Sequence, residues 1–225
     1  MSRVHLVRHG QAAFGSAEYD RLTETGVAQC RQLGRHWRVI GREVNFVYAG
    51  TLRRQRESAE VFVRALAEAG GDVLPVQLLP GIEEYDHRSL LTAHLGRNPV
   101  TDPAGDRRES FRELASALKA WAAGELRGVE PYGCFRDRCA AALTVLLREI
   151  GRGRSAVVFG SAGSLAAAMQ PALGLPDRDL LRLKLTFYNS GVSSLLFDGE
   201  TLTIESLNAV SHLEQPAFMH LITQR

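Results

Sequence analysis

Apolar and polar positions along this 225-residue chain follow two periods. Short apolar runs at Val4 to Val7, Val44 to Tyr48 and Val73 to Leu78 read as strands, with turn-forming residues between them. Helical spacing of apolar residues predicts one helix from about Thr25 to Ile40 and another from about Leu52 through Ala69. Thr23 stands where a hydroxyl can cap the first of these. Strands alternating with helices predict a βαβ arrangement around a parallel sheet.

From Leu90 to Ile150 the pattern turns helical, clearest over Phe111 to Trp121 and Phe135 to Ile150. Breaks rich in Gly and Pro fall around Pro99 to Gly105 and Gly128 to Gly133. A further strand is expected at Val157 to Phe159, followed by a helix from near Gly163 to Leu173. The turn Asn189-Ser190-Gly191 then precedes strands at Val192 to Phe197 and Thr201 to Leu207. There is no internal repeat, and we expect one domain spanning residues 1–225, with a helical insert at about 88–150 covering the site.

The chemistry concentrates where strands end. Arg8-His9-Gly10 directly follows the first apolar run, which sets an imidazole beside a guanidinium at a strand terminus. Planar guanidinium forks match the oxygens of a phosphoryl group through paired hydrogen bonds. A neutral imidazole nitrogen is a nucleophile toward phosphorus, and nearby positive charge both keeps the ring neutral and stabilises the group in transfer. Gly10 lets the backbone turn and approach a ligand closely. A lone strand-end histidine with solvated neighbours is the plain alternative.

The segment MSRVHLVRHGQA resembles the N-terminus of the histidine phosphatase superfamily, also called phosphoglycerate mutase-like, and the resemblance runs through most of the chain. It extends to Tyr48 through Ala59, where Arg54 matches the family's phosphate-binding arginine. It extends further to Gly81 through His87, where Glu84 aligns with the general acid and Glu83 is expected to be solvated. The resemblance implies a three-layer α/β sandwich with a mostly parallel central sheet. It also implies a site in which His9 is the nucleophile, Arg8 and Arg54 hold phosphate oxygens, and Glu84 protonates the leaving group. Such a site lies beyond the carboxyl ends of parallel strands.

One landmark departs from the family. Where a strand normally ends in Ser-His-Gly-Gly, this chain reads Gly160-Ser161-Ala162-Gly163, which puts Ser161 in the place of the second histidine. Loss of a preorganised donor typically costs about a hundred- to thousandfold in rate. Ser161 retains one hydroxyl donor, and the helix after it would aim backbone N–H groups at an anion. Three readings stay open: a phosphoester hydrolase using a phosphohistidine intermediate, a phosphate-ligand binder without turnover, and a phosphoglycerate mutase. The last is disfavoured because Ile82 through Arg88 lacks the mutase's LNERHYG motif. His87 is the other imidazole near a motif, while His5, His36, His94, His212 and His220 read as packing or surface residues. Arg88, Arg97, Arg107 and Arg108 read as solvated cations, with contact to an acidic substrate as the alternative.

Composition narrows the partners. The net charge of +2, from 27 basic against 25 acidic residues without a long run of either, argues against a nucleic-acid protein. Three cysteines, Cys30, Cys134 and Cys139, in no metal-like spacing suggest free thiols in a reducing, cytoplasmic setting. No metal or cofactor is expected. No apolar stretch approaches the roughly 20 residues needed to cross a bilayer. The expected partner is a small phosphoester, and oligomeric state is left open.

Overall fold

Alternation within the first strand sends Val4 and Leu6 into one apolar cluster and Val7 into another, so both faces of that strand are buried. A strand of this kind needs helices on both sides, and the computed structural model supplies them. It describes residues 1–13, 19–97 and 107–224. The break expected at Pro99 to Gly105 lies outside them, as do the side chains of Arg107 and Arg108.

The sheet comprises β1 (Ser2–Arg8), β2 (Phe46–Ala49), β3 (Val76–Leu78), β4 (Ser155–Gly160), β5 (Val192–Phe197) and β6 (Leu202–Ala209), in the order β3-β2-β4-β1-β5-β6. β3, β2, β4 and β1 pair in parallel, and β5 runs antiparallel to both β1 and β6. The helices are α1 (Glu24–Val39), α2 (Arg53–Glu68), α3 (His87–Leu95), α4 (Arg107–Ala122), α5 (Tyr132–Glu149), α6 (Ala162–Leu173) and α7 (Asp177–Leu183). One face of the sheet packs Val7, Val47 and Phe159 against Leu33 and Trp37 of α1 and Phe62 of α2. The other face packs Leu6, Val158 and Leu195 against Leu143 and Leu146 of α5 and Leu165 and Met169 of α6. This is the expected α/β sandwich with a mostly parallel sheet.

Thr23 caps α1 as expected, its hydroxyl accepting from Gly26 N at 3.1 Å. The edge strand β3 and two short helices differ from the sequence pattern. β3 begins at Val76 rather than Val73, because it is an edge strand with β2 as its one partner and Val73 faces solvent. The helical pattern from Leu90 gives α3 no bounds of its own, and α7 is missed, because nine and seven residues are too few for a period to stand out.

The strand order fixes where the site falls. β1 and β4 are neighbours that feed helices on opposite faces, so the loops leaving their carboxyl ends diverge and open a crevice. The backbone N–H of His9 donates to Gly160 O at 2.8 Å and ties the two ends together. His9 and Ser161 are therefore side by side at the mouth.

Candidate active site

His9 is buried, 6% exposed, and each ring nitrogen has one polar partner. Nδ1 lies 2.7 Å from Gly10 O, which can only accept, so Nδ1 carries the proton. Nε2 lies 3.2 Å from the Nε–H of Arg54, which can only donate, so Nε2 carries the lone pair. One neutral tautomer satisfies both contacts. Burial lowers the pKa of His9 well below its ordinary value, and the positive charges of Arg54 and Arg8 lower it further. The imidazole is thus unprotonated at neutral pH.

Gly10 is required for a reason other than the one expected. A Cβ there would sit 2.4 Å from Gly26 O, so the close approach is to the first turn of α1 rather than to a ligand. The contact presses the turn after β1 onto α1. Gly10 N also donates to Ser58 Oγ at 3.0 Å, which links the turn to α2.

Arg54 enters from the first turn of α2 and is buried. Besides its contact with His9, Nη1 pairs with Asp20 at 2.6 Å and Nη2 reaches Ser161 Oγ at 3.5 Å. Asp20 also accepts from Arg53 N at 2.8 Å, so its carboxylate sits at the positive end of α2 while holding the guanidinium. The Arg54 guanidinium lies over the ring of Tyr19, 5.3 Å from its centre, and that ring meets His87 edge-on at 5.2 Å. His87 thus contacts Tyr19, which in turn contacts Arg54.

Arg8 approaches from β1. Its Nη1 donates to the backbone carbonyls of Phe187 and Gln224, the second at 2.9 Å. Its Nε is buried without a hydrogen-bond partner. Burial lowers its pKa to about 10, so it stays cationic at neutral pH. A buried donor left open in a residue next to His9 in sequence marks a place for an acceptor that the described residues do not supply.

Ser161 is buried at the head of α6, and its hydroxyl oxygen accepts from Gln55 Nε2 at 2.9 Å. Gln55, fully buried one residue after Arg54, escapes sequence reasoning because it lies inside a basic run that reads as solvated. Its carboxamide also accepts from Leu52 N at 3.3 Å, which fixes its orientation. With Ser161 Oγ accepting from Gln55, the Ser161 proton is available to point into the pocket.

Glu84 does not stand apart waiting for a substrate. Its Oε2 accepts from Gly163 N at 2.8 Å and its Oε1 from Tyr85 N at 3.2 Å. The anion at the N-terminus of α6, where a ligand was expected, is the protein's own carboxylate. A Cβ on Gly163 would fall 2.3 Å from Glu84 Oε1, so the glycine makes room for it. Glu83, expected to be solvated, instead accepts from Gly81 N at 2.7 Å and Thr51 Oγ1 at 2.9 Å and braces the turn. Lys184, buried next to Tyr85, completes the charged groups in this region and carries no local signal in the sequence. Of the basic residues flanking the insert, Arg88 is exposed and Arg97 pairs with Glu113 at 3.5 Å.

The fold and this geometry define an α/β protein with a buried, unprotonated imidazole in a cationic pocket at the carboxyl ends of its parallel strands. The chain belongs to the histidine phosphatase superfamily, branch 1, whose family model matches residues 4–210. No curated protein matches it in sequence. Among solved structures, YhfR from Bacillus stearothermophilus is similar with a TM-score of 0.71 at 19% identity, over 94% of this chain and 99% of that one. A phosphoserine phosphatase mutant from Entamoeba histolytica, solved with phosphoserine, has a TM-score of 0.67 at 15% identity, over 95% of this chain and 100% of that one. The alpha-ribazole phosphatase from Shigella flexneri has 0.62 at 18% identity, over 92% and 96% of the two chains. At these identities the likeness is one of fold. No helix among the described residues is long and apolar enough to cross a membrane.

Proposed function

We propose that the protein is a phosphomonoesterase that acts on small phosphorylated molecules through a phosphohistidine intermediate. The observation that carries this reading is the tautomer of His9, which leaves the Nε2 lone pair beside Arg54 in a ring that also feels the charge of Arg8. Family membership and the phosphatases among its structural relatives support the same reaction class.

In the first half-reaction, His9 Nε2 attacks phosphorus and forms a P–N bond as the bond to the ester oxygen breaks. Arg54 turns its guanidinium from His9 to the phosphoryl oxygens, Arg8 donates from Nε, and Ser161 donates its hydroxyl proton. Glu84 gives a proton to the departing oxygen. In the second half-reaction, Glu84 takes a proton from water, the water oxygen attacks phosphorus, and the P–N bond breaks. Inorganic phosphate leaves and His9 returns to its neutral form.

Ser161 favours a second reading, because a neutral hydroxyl stands where the family places an imidazole: binding of a phosphoester without turnover. Both are tested by release of p-nitrophenol from p-nitrophenyl phosphate, with His9→Ala measured beside the unaltered protein. The hydrolase reading expects turnover that His9→Ala abolishes and an acid-labile phosphoprotein that the variant does not form. Saturable phosphoester binding without turnover would replace it with the binder. Isomerisation of 3-phosphoglycerate in place of phosphate release would replace it with the mutase.

A further inference from the structure

Thr223 and Gln224 belong to no helix or strand, so individual hydrogen bonds set their place. The Thr223 hydroxyl accepts from Gln29 Nε2 at 2.9 Å and donates to Asn189 Oδ1 at 2.9 Å. The carbonyl of the same residue accepts from Asn189 N at 2.8 Å. Gln29, in α1, and Asn189, in the turn before β5, are both fully buried. Thr223 is thus pinned at side chain and backbone by two groups that the core holds still.

The direction of every bond in this chain is determined by its ends. Gln11 N can only donate, so Gln29 turns its Oε1 to it at 2.8 Å and has only Nε2 left for Thr223. The Thr223 oxygen is then an acceptor on that side and sends its proton to Asn189 Oδ1. Asn189 in turn directs Nδ2 at His9 O, 3.3 Å away, which can only accept. The chain of bonds starts and finishes on the turn that carries His9. Its middle member needs one donor and one acceptor on a single short side chain, which a hydroxyl provides and a methyl group does not.

The consequence falls on the next residue. Gln224 O accepts from Arg8 Nη1 at 2.9 Å, sharing that nitrogen with the carbonyl of Phe187. Gln224 Nε2 donates to Thr186 O at 3.3 Å, so both carbonyls that hold Arg8 are tied to one stretch of backbone. Backbone carbonyls orient a guanidinium without neutralising it, and Glu84 is the carboxylate whose charge reaches Arg8. The backbone of Arg8 is fixed as well, because its carbonyl accepts from Ser190 N at 3.0 Å. Held at both ends, the side chain keeps its buried Nε–H open.

We propose that Thr223 is a positioning residue for the anion site, placing the Gln224 carbonyl that in turn sets the Arg8 guanidinium for phosphoryl oxygens. The inference rests on the role of Arg8 in holding phosphate, which the hydrolase and binder readings share, and it does not need turnover. Thr223 acts through Arg8 and has no contact of its own with the reacting groups.

The test is the calorimetric Kd of inorganic phosphate for the full chain, with kcat/KM for p-nitrophenyl phosphate measured beside it. Thr223→Val keeps the shape and removes both hydroxyl bonds, and it is expected to weaken phosphate binding roughly three- to tenfold, the scale of a hydrogen bond lost. Thr223→Ser keeps the hydroxyl and is expected to stay within about twofold of the unaltered protein. Asn189 also leads from Thr223 to His9 O, and the Arg8→Met background separates the two routes. In that background Thr223→Val should change Kd, and kcat/KM where there is turnover, by less than about twofold, because residues in one network are not additive. An equal loss in both backgrounds overturns the role. So does an unaltered Kd in Thr223→Val, or a Thr223→Ser protein as weak as Thr223→Val. Should Thr223→Val not fold, Gln224→Gly loosens the same carbonyl from an exposed position, and the role then stands or falls on whether its loss in affinity depends on Arg8. Absence of turnover in the unaltered protein ends the hydrolase reading and leaves the Kd comparison in force, whereas a protein that binds no phosphate overturns the positioning role with it.

Discussion

The Nε–H of Arg54 is directed at Nε2 of His9 across 3.2 Å, so the cation that would grip a phosphate also keeps the attacking lone pair unprotonated. Arg54 can do both because Asp20 holds the other side of its guanidinium at 2.6 Å. The planar fork reaches Asp20, His9 and Ser161 at once, which a lysine ammonium cannot. Arg54→Ala is expected to lower kcat/KM for p-nitrophenyl phosphate by about a hundred- to thousandfold. Arg54→Lys is expected to recover less than about a tenth of that loss. Full recovery by lysine would mean that charge alone matters and that the fork geometry is incidental.

The pH dependence should carry the same signature. The form of His9 that the proposed mechanism needs is neutral, and its pKa is lowered first by burial and then by Arg54 and Arg8. In the free enzyme, kcat/KM should therefore pass through pH 6.5 without the fall that an ordinary imidazole would impose. Removing the Arg54 charge favours imidazolium, so Arg54→Ala should move any acid limb toward higher pH. An acid limb centred near pH 6.5 in the unaltered protein would contradict the neutral, desolvated ring.

Much of this arrangement is legible in the sequence, and the rest is hidden for identifiable reasons. Arg8, His9 and Gly10 sit in a strand-to-turn transition that periodicity locates by itself, and the strand order places them opposite Ser161. Gln55 and Lys184 are hidden because their local patterns are those of solvated helix faces, and burial is a property of the folded whole. Glu83 and Glu84 are adjacent carboxylates with no local feature to separate them. The separation comes from Gly163 and Gly81, distant or backbone partners that each select one of the two.

Two buried imidazoles away from the site predict an acid-sensitive fold. His5 bonds Ser194 Oγ at 2.8 Å and packs edge-on to Trp37, while His212 bonds Ser190 Oγ at 2.8 Å in the turn that precedes β5. Burial brings both pKa values down to about 3. A folded pKa below the unfolded value near 6.5 means that the unfolded chain binds more protons, so stability falls as pH drops below that value. Each ring should remove about 1.4 kcal/mol per pH unit in that window, or about 2 kcal/mol between pH 6.5 and pH 5. Urea unfolding across that range measures it, and His5→Leu should lose one ring's share of the slope. Equal stability at both ends of the range would refute the linkage.

Ser161 and Gln55 are expected to act as one unit. Ser161→Ala removes the donor proposed for the phosphoryl oxygens and should lower kcat/KM by about a hundredfold. Gln55→Ala leaves the Ser161 hydroxyl without the partner that orients it, so it should lower kcat/KM through the same group. The double variant should then be close to Ser161→Ala alone, since residues in one hydrogen-bond network are not additive. Independent, multiplying losses would show that Gln55 supports the site by packing rather than by aiming the serine.

Gly163→Ala separates catalysis from stability at a single atom. Alanine is the better helix former by roughly 0.8–1.0 kcal/mol in a helix interior, and Gly163 lies in the first turn of α6, where the gain is at most of that order. The added Cβ would, however, fall 2.3 Å from Glu84 Oε1, and the carboxylate is the group free to move. Glu84 should be pushed off the Gly163 N–H and away from the ester oxygen that it would protonate in the proposed mechanism. The expected result is a Tm held within about 4 °C of the unaltered protein, the scale of a change below 1 kcal/mol. The rate for poor leaving groups should meanwhile fall more than the rate for p-nitrophenol, whose oxygen needs no proton to depart. Equal losses for both kinds of ester would remove Glu84 from the proton-donor role and leave it as a cap for α6.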